Sequence, residues 1–496
     1  MYILGISSGL KHGHHDGAAV LIKNGKIIFA AEEERFTLTK HARSELPTNT
    51  IRYILKKFKL SIRDISFVCS PLKTYPFYSE RISKYIKFHF GYCPKVSLFD
   101  HHECHAASSF YPSGYDEAAV VCLDNSGDSK SGAIYLGKNR KLIKKFSFDR
   151  ENSLGLYYGM ITQYLGFQMT NDEYKVMGLA SYGKNKFENE FKKILKSSDE
   201  FYKLDADLDV RKKNSKIYTT DFSTRQERIF TEKLEKILGK RRLPGKPISQ
   251  RFIDIAHSGQ ERLNEIVFQI CKYSLGLTTS KNLCMAGGVA LNCQTNLVLT
   301  EKLDLNNIYI PSAPNDAGVA LGAAILESEK RGFKTSTLTH AYLGPQYSNA
   351  YIKKMLTDKG IKFKEYDYPE EIAAKDILDG KITAWFNGRM EFGPRALGAR
   401  SILADPRNKN IKKLINKKIK YREEFRPFCP SVLSKNTNKF YEESFYSPFM
   451  NINKRAKKNT KNSYPSIVHS DNTSRIQSVK KIKNQLYFEL LSELEK

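Results

Sequence analysis

The sequence predicts a two-part α/β protein, a duplicated unit over residues 1–342 followed by a smaller α/β domain over 343–496. Three observations predict it. Residues 1–35 run as strand, loop, strand, turn, strand, with Asn24-Gly25 between two apolar runs, a strong hairpin signal. The pattern recurs over 118–147, where Gly132-Ala133-Ile134-Tyr135-Leu136 takes the place held earlier by Gly17-Ala18-Ala19-Val20-Leu21. Residues Thr337 to Ser348 read as a linker, and a fresh α/β pattern starts at Tyr351. Two similar lobes imply a cleft between them, a natural place for a ligand.

In chain order, Thr50 to Leu60 has helical periodicity and SFVCSP reads as a short buried strand. Leu154 to Leu165 and Glu173 to Leu179 read as helices punctuated by glycines. Residues 185–250, rich in Lys and Glu, read as a helical insertion with a loop. Ser258 to Leu275 forms an amphipathic helix that leads into NLCMAGGVALNCQTN, and NNIYIPSAPNDAGVALGAAI then repeats the strand-to-helix theme.

At 496 residues the chain can bury more than one core. Its eight cysteines form no CxxC pair, and several lie in apolar runs, as expected of free thiols in a reducing cytoplasm. The N-terminus reads as a buried strand, and no apolar run approaches the roughly 18 residues of a membrane span. The formal charge of +28 suits anionic partners. Lysine is scattered over amphipathic stretches, however, with no stripe of cations and stacking aromatics, which disfavours nucleic acid and leaves anionic small substrates.

Three of the eleven histidines fall in Asp100-His101-His102-Glu103-Cys104-His105. On a helix His101 and His105 share a face, the geometry two imidazoles need to hold one metal, while His102 points elsewhere. Asp124, where VVCLDNSGD meets a loop, either serves a turn or binds a cation, and Asp316 either caps a helix or joins it. With His101 and His105 they would form a two-His, two-carboxylate set suited to a divalent first-row metal. Gly287 and Gly288 precede Asn292 between a strand and a helix, where backbone can approach a nucleotide. The loop from Ser7 to Gly17 offers His12, His14 and His15 before Asp16, and an imidazole beside a carboxylate can act as a general base. Arg389, Arg395 and Arg400 stand in one glycine-punctuated loop, and Lys420, Arg422 and Arg426 stand beside a rigid Arg-Pro turn. Such clusters grip polyphosphates or acyl phosphates.

Taken together, HHDGAAVLI, AAEEERFT, HHECHAAS, VVCLDNSGD, EYKVMGLASYG, GGVALNCQTN, PNDAGVALGAA, NGRMEFGPRALGARSILADPR, KYREEFRPF and HSDNTSRIQ resemble the O-carbamoyltransferases of the NodU/CmcH type. The resemblance implies an N-terminal ASKHA-type domain related to the tRNA threonylcarbamoyl transferases and a C-terminal YrdC-like domain. It implies that the second domain joins ATP, with Mg2+, and carbamoyl phosphate into carbamoyl adenylate, releasing pyrophosphate. The first domain, holding a metal commonly taken as Fe(II), would pass the carbamoyl group to a hydroxyl of a sugar, glycan or secondary metabolite. By the same resemblance His101, His105, Asp124 and Asp316 are the metal ligands and His15 is the base. Gly287, Gly288 and Asn292 fall in the nucleotide loop, and Arg389, Arg395, Lys420, Arg422 and Arg426 fall in the adenylate-forming motifs.

The family pattern continues beyond HSDNTSRIQ into a segment resembling PVLLNTSFN, whereas this sequence ends at Lys496. The resemblance therefore implies a shortened C-terminal domain, for which a partner chain would supply the missing segment; the other association expected is a homo-oligomer. Two other readings compete: a tRNA-associated protein of the threonylcarbamoyl type, and an inactive nucleotide-binding relative.

Overall fold

The computed structural model describes residues 1–7, 15–209, 220–221 and 226–496. Its N-terminal part holds two five-stranded mixed sheets of one design. In the first, β1 (Tyr2–Ile6), β2 (Ala18–Lys23), β3 (Lys26–Glu32), β4 (Ile65–Ser70) and β5 (Lys95–Leu98) stand in the order β3-β2-β1-β4-β5. The meander β1 to β3 is antiparallel, and β4 and β5 add in parallel. The second sheet repeats this with β6 (Glu117–Gly127), β7 (Lys130–Lys138) and β8 (Lys141–Asp149) as the meander, completed later in the chain by two parallel strands. This is the duplicated ASKHA-type arrangement, and the two copies begin where the repeated hairpins lie in the sequence.

The stretch between the copies is as expected, with a helix over Thr48–Phe58 and β4 over the SFVCSP run. Glu33 anchors that helix: its two oxygens accept from the amides of Asn49 and Thr50, both at 2.9 Å. They thereby satisfy donors that a helix start otherwise leaves unpaired.

Residues 185–250 differ from the expected helical insertion. The described part has helices Glu188–Ile194 and Glu232–Leu238, but between them β9 (Leu195–Ser198) and β10 (Phe201–Leu204) form a hairpin, and β11 (Thr220–Asp221) pairs β12 (Gln226–Glu227). The reason is legible in the burial. Leu195, Tyr202 and Leu204 are buried with exposed lysines between them, a strand period hidden by the lysine content.

The long helix starts earlier than expected, at Gln250, and runs to Leu275. The second sheet is then completed by β13 (Asn282–Ala286) and β14 (Asn307–Tyr309), giving β8-β7-β6-β13-β14. The helices His101–Ser113 and Asp316–Lys330 pack against each other beside β1, β4 and β13 within a largely aliphatic core.

Residues 337–348, read as a linker, are packed structure. Leu338, Ala341 and Leu343 are buried, and the Ala30 amide donates to Leu343 O at 3.1 Å. Beyond them the chain remains α/β, in three two-stranded ladders: β15 (Thr383–Phe386) with β16 (Arg400–Leu403), β17 (Ser431–Leu433) with β20 (Gln477–Val479), and β18 (Asn453–Arg455) with β19 (Thr473–Arg475). The final helix, Gln485–Glu495, packs on helix Pro369–Leu378, burying Tyr487 and Leu490 against Ala373, Ala374 and Ile377. All eight cysteines are free. Among the described residues no helix is long and apolar enough to cross a membrane.

Candidate functional site

The histidine helix starts where Asp100 caps it, the carboxylate accepting from the Glu103 amide at 2.9 Å. A second carboxylate, Asp128, accepts from the His101 amide at 2.8 Å. Helical spacing then puts His101 and His105 on one face with their Nε2 atoms 3.2 Å apart. A Cβ on Gly127 would fall 2.2 Å from the His101 ring, so only glycine lets the strand end lie against that imidazole.

Asp124 is aimed by a break in the ladder: β6 and β7 pair regularly to Leu123 and again at Gly127, and the register shifts between them. Such a bulge re-aims a side chain. Ser153 secures it by donating to Asn125 O at 2.7 Å. Asp124 Oδ1 accepts from the Gly288 amide at 2.9 Å, which leaves Oδ2 to lie 3.4 Å from His101 Nε2 and 3.9 Å from His105 Nε2. Asp316, first residue of its helix, brings Oδ1 to 3.6 Å and 3.4 Å from the same two nitrogens.

One donor atom from each of the four residues lies within 4.8 Å of the others. Ligands about 2.1 Å from a tetrahedral metal are separated by about 3.4 Å, a value bracketed by the separations of 3.2 to 3.9 Å between the imidazole nitrogens and from them to the carboxylate oxygens. The electrostatics agree. Burial alone would lower His101, but Asp316 and Asp124 outweigh it and carry the ring up to about 9. Burial opposes ionisation of Asp124, yet the two imidazoles and the Gly288 amide hold it far below the usual carboxylate range. His102 is buried, with both ring nitrogens unpartnered, and burial and its histidine neighbours push it well below the usual value. It stands outside the donor set, as does Cys104.

His15 lines a cavity together with Asp124 and Asp316. Its Nδ1 lies 2.9 Å from Asp16 Oδ2, and the other Asp16 oxygen lies 2.7 Å from His41 Nδ1. Asp16 is buried, and its own amide donates to His41 O at 2.6 Å. Burial would lower His15, but the hydrogen bond and charge of Asp16 prevail and carry it up to about 9. His41 escaped the sequence reading because nothing in TLTKHAR marks it. His12 and His14 lie outside the described residues.

A cavity of about 1050 Å³ extends from His15, Asp124 and Asp316 to the cations of the C-terminal part. Arg395, Lys420, Arg422 and Arg426 line it, together with Gly288 and Asn292. Gly287 serves differently. At φ +88° it makes the turn, and a Cβ there would sit 2.1 Å from Leu123 O, so this glycine fixes the loop that presents Gly288 to Asp124. Asn292 caps helix Cys293–Lys302 through the Thr295 amide.

Arg475, within HSDNTSRIQ, was missed although that motif was recognisable. It lines the cavity, and its Nε donates to Cys429 Sγ at 3.0 Å. Burial and the Arg475 charge bring Arg395 down to about 10, while burial and Arg426 do the same to Arg422, so both stay charged at neutral pH. The Arg395 Nε atom is buried without a partner. Crowded cations with an unused donor in a cavity wall are the makings of an anion site.

Arg389, expected among the phosphate-binding residues, is a correction. It does not line the cavity: its guanidinium binds the carbonyls of Ile28 at 2.9 Å, Gly344 at 3.3 Å and Leu343. It joins the C-terminal loop to β3, beside the contact in which the Gly393 amide donates to Glu32 at 2.7 Å. Arg389→Ala is therefore expected to lower stability by about 1–3 kcal/mol, measured by denaturant unfolding.

Two family patterns match the chain. One, described as Carbamoyltransferase N-terminus, matches residues 3–92 and 73–325. The other, Carbamoyltransferase C-terminus, matches residues 374–496. An uncharacterized protein of Synechocystis sp. is 34% identical over 563 residues, spanning 100% of this chain and 89% of that protein. Nodulation protein NolNO of Sinorhizobium fredii is 34% identical over 539 residues, spanning 100% of this chain and 76% of its own length. Among solved structures, component A of the Acidaminococcus fermentans (R)-2-hydroxyglutaryl-CoA dehydratase overlaps 67% of this chain and 99% of its own, with a TM-score of 0.38 at 16% identity. The lobe architecture rests on the strand order given above, not on that overlap.

Proposed function

The chain belongs to the carbamoyltransferase family, and from that premise we propose that it makes carbamoyl adenylate from ATP and carbamoyl phosphate and passes the carbamoyl group to a hydroxyl of a sugar or other metabolite. The observation that carries this reading is the single cavity with a cationic end at Arg395, Arg422 and Arg475 and a histidine–carboxylate end at His15, Asp124 and Asp316.

At the cationic end the guanidinium groups and Lys420 neutralise the phosphates of the two anionic substrates, whose repulsion otherwise opposes their approach. Balance requires that water hydrolyse carbamoyl phosphate to carbamate and phosphate, and that a carbamate oxygen then attack the α-phosphorus of ATP and displace pyrophosphate. The product is a mixed anhydride of carbamate and AMP.

At the other end His101, His105, Asp124 and Asp316 would hold a divalent cation, Fe(II) by resemblance. Such an ion, when bound, supplies a Lewis acid for the carbonyl or phosphate oxygen. His15 accepts the proton of the acceptor hydroxyl at Nε2, with Nδ1 held by Asp16. The new C–O bond forms as the anhydride bond to AMP breaks. Gly288 fixes Asp124 from the nucleotide loop, and so couples the two ends.

The sign of the pH dependence follows from His15. A ring held near 9 by Asp16 is protonated below that pH, so the base form, and the transfer rate, grow as pH rises towards it. Asp16→Asn removes the main raising influence and leaves only the charges of Asp316 and Asp124 to oppose burial. The alkaline rise in transfer rate is then expected to shift to lower pH, with a lower plateau from the misoriented ring, as read by labelled-carbamoyl transfer across pH. The first test of the overall reading is release of pyrophosphate from ATP and carbamoyl phosphate under metal-replete conditions. No release contradicts an autonomous first step.

A further inference from the structure

The histidine–carboxylate set stands in a partition between two cavities. Beyond the large one lies a second, of about 250 Å³, and His15 and Asp316 belong to the walls of both. Of the two, only the small cavity reaches His101, and only the large one reaches the arginine cluster. A donor formed among the arginines thus meets the set from one side and leaves the other side to a second reactant.

The walls of the small cavity say what that reactant is. Ser126 offers a hydroxyl, Ser7 and Thr74 present hydroxyl oxygens whose protons go to Asp16 O and Asp128, and Tyr75 lines the wall with a ring that Arg81 approaches at 5.3 Å from its centroid. Hydroxyls beside an aromatic ring suit a polyhydroxylated ring of the carbohydrate kind. The charges narrow the choice. The carboxylates in the wall are Asp316, committed to the donor set, and Asp128. Asp128 Oδ1 accepts from the amide and hydroxyl of Thr74, and Oδ2 from the amides of Lys73 and His101. A cationic amine therefore finds no spare carboxylate here. Arg150 also lines this cavity, is exposed, and has no carboxylate partner among the described residues.

We infer that the small cavity seats the acceptor, and that Arg150 selects a sugar ring bearing a carboxylate. This rests on the transferase reading, and the test separates the two. The full chain is titrated calorimetrically, without ATP, with methyl β-D-glucuronide, methyl β-D-glucoside and methyl β-D-glucosaminide. The expected order is glucuronide tightest by about tenfold, then glucoside, then glucosaminide, since a guanidinium pairs with a carboxylate through two hydrogen bonds. Arg150→Gln should erase the glucuronide advantage and Arg150→Glu should reverse the order, with unchanged melting temperatures confirming the fold. Binding of none of the three, or an order that ignores the charge at position 150, overturns the inference. Should the glucuronide bind through Arg150 yet receive no labelled carbamoyl group, the transferase reading falls and the pocket stands. Equal carbamoylation of all three sugars by the wild type and both variants overturns the pocket and leaves the transferase reading intact.

Discussion

His101→Ala and His105→Ala are each expected to lose the bound metal and more than about a hundredfold in carbamoyl transfer while pyrophosphate release continues. The two rings supply half of the donor set, with Nε2 atoms 3.2 Å apart, and no other described histidine joins them there. Removing one leaves three ligands, two of them carboxylates facing a single imidazole. The effect should stay local. The helix is capped by Asp100, and Asp128 holds the backbone amide of residue 101, neither of which needs the imidazole. Metal analysis of the purified variants, followed by both half-reaction assays, checks this. A variant that keeps its metal, or loses pyrophosphate release together with transfer, would contradict the division of labour.

Arg475→Ala is expected to do the converse, lowering pyrophosphate release by about a hundred- to a thousandfold with the metal retained. Its guanidinium contacts the sulfurs of Cys429 and Cys293, and no ion pair to a carboxylate occurs among the described residues. Its loss therefore strands no acid, and the charge is left free for a substrate phosphate. Arg475→Lys keeps a point charge but not the two-pronged grip, and should recover only part of the rate. Steady-state kinetics with ATP and carbamoyl phosphate separately varied will show which substrate's KM rises.

How much of this was legible in the sequence depended on whether the signal was local. The duplicated hairpins were readable because each sets apolar runs on either side of a turn, and β1 to β3 and β6 to β8 form where those signals lie, with β2, β6 and β7 buried along most of their length. His101 and His105 were readable because a helix fixes spacing. Their joining with Asp124 and Asp316 was not readable from spacing. It depends on a bulge in β6 and on the crossing of two helices more than two hundred residues apart; the residue types raised the set as one alternative, and the family resemblance chose it. His41 was hidden for the same reason, meeting Asp16 from a separate turn. Arg389 misled because charge and glycine in a loop look alike whether the partner is a phosphate or a row of backbone carbonyls. The hairpin of β9 and β10 was obscured by lysines that alternate with buried residues yet dominate the composition.

The central claim is that one cavity carries an activated carbamoyl group from the arginine cluster to the histidine–carboxylate set. The most direct test mixes two purified variants, His101→Ala, which should form the adenylate but not use it, and Arg475→Ala, which should use it but not form it. With labelled carbamoyl phosphate, ATP and an acceptor that the wild type carbamoylates, the mixture should recover no more transfer than the two variants give separately, because the intermediate does not leave the cavity. Restoration of transfer towards the wild-type rate would mean that the adenylate travels through solvent, and would contradict the claim.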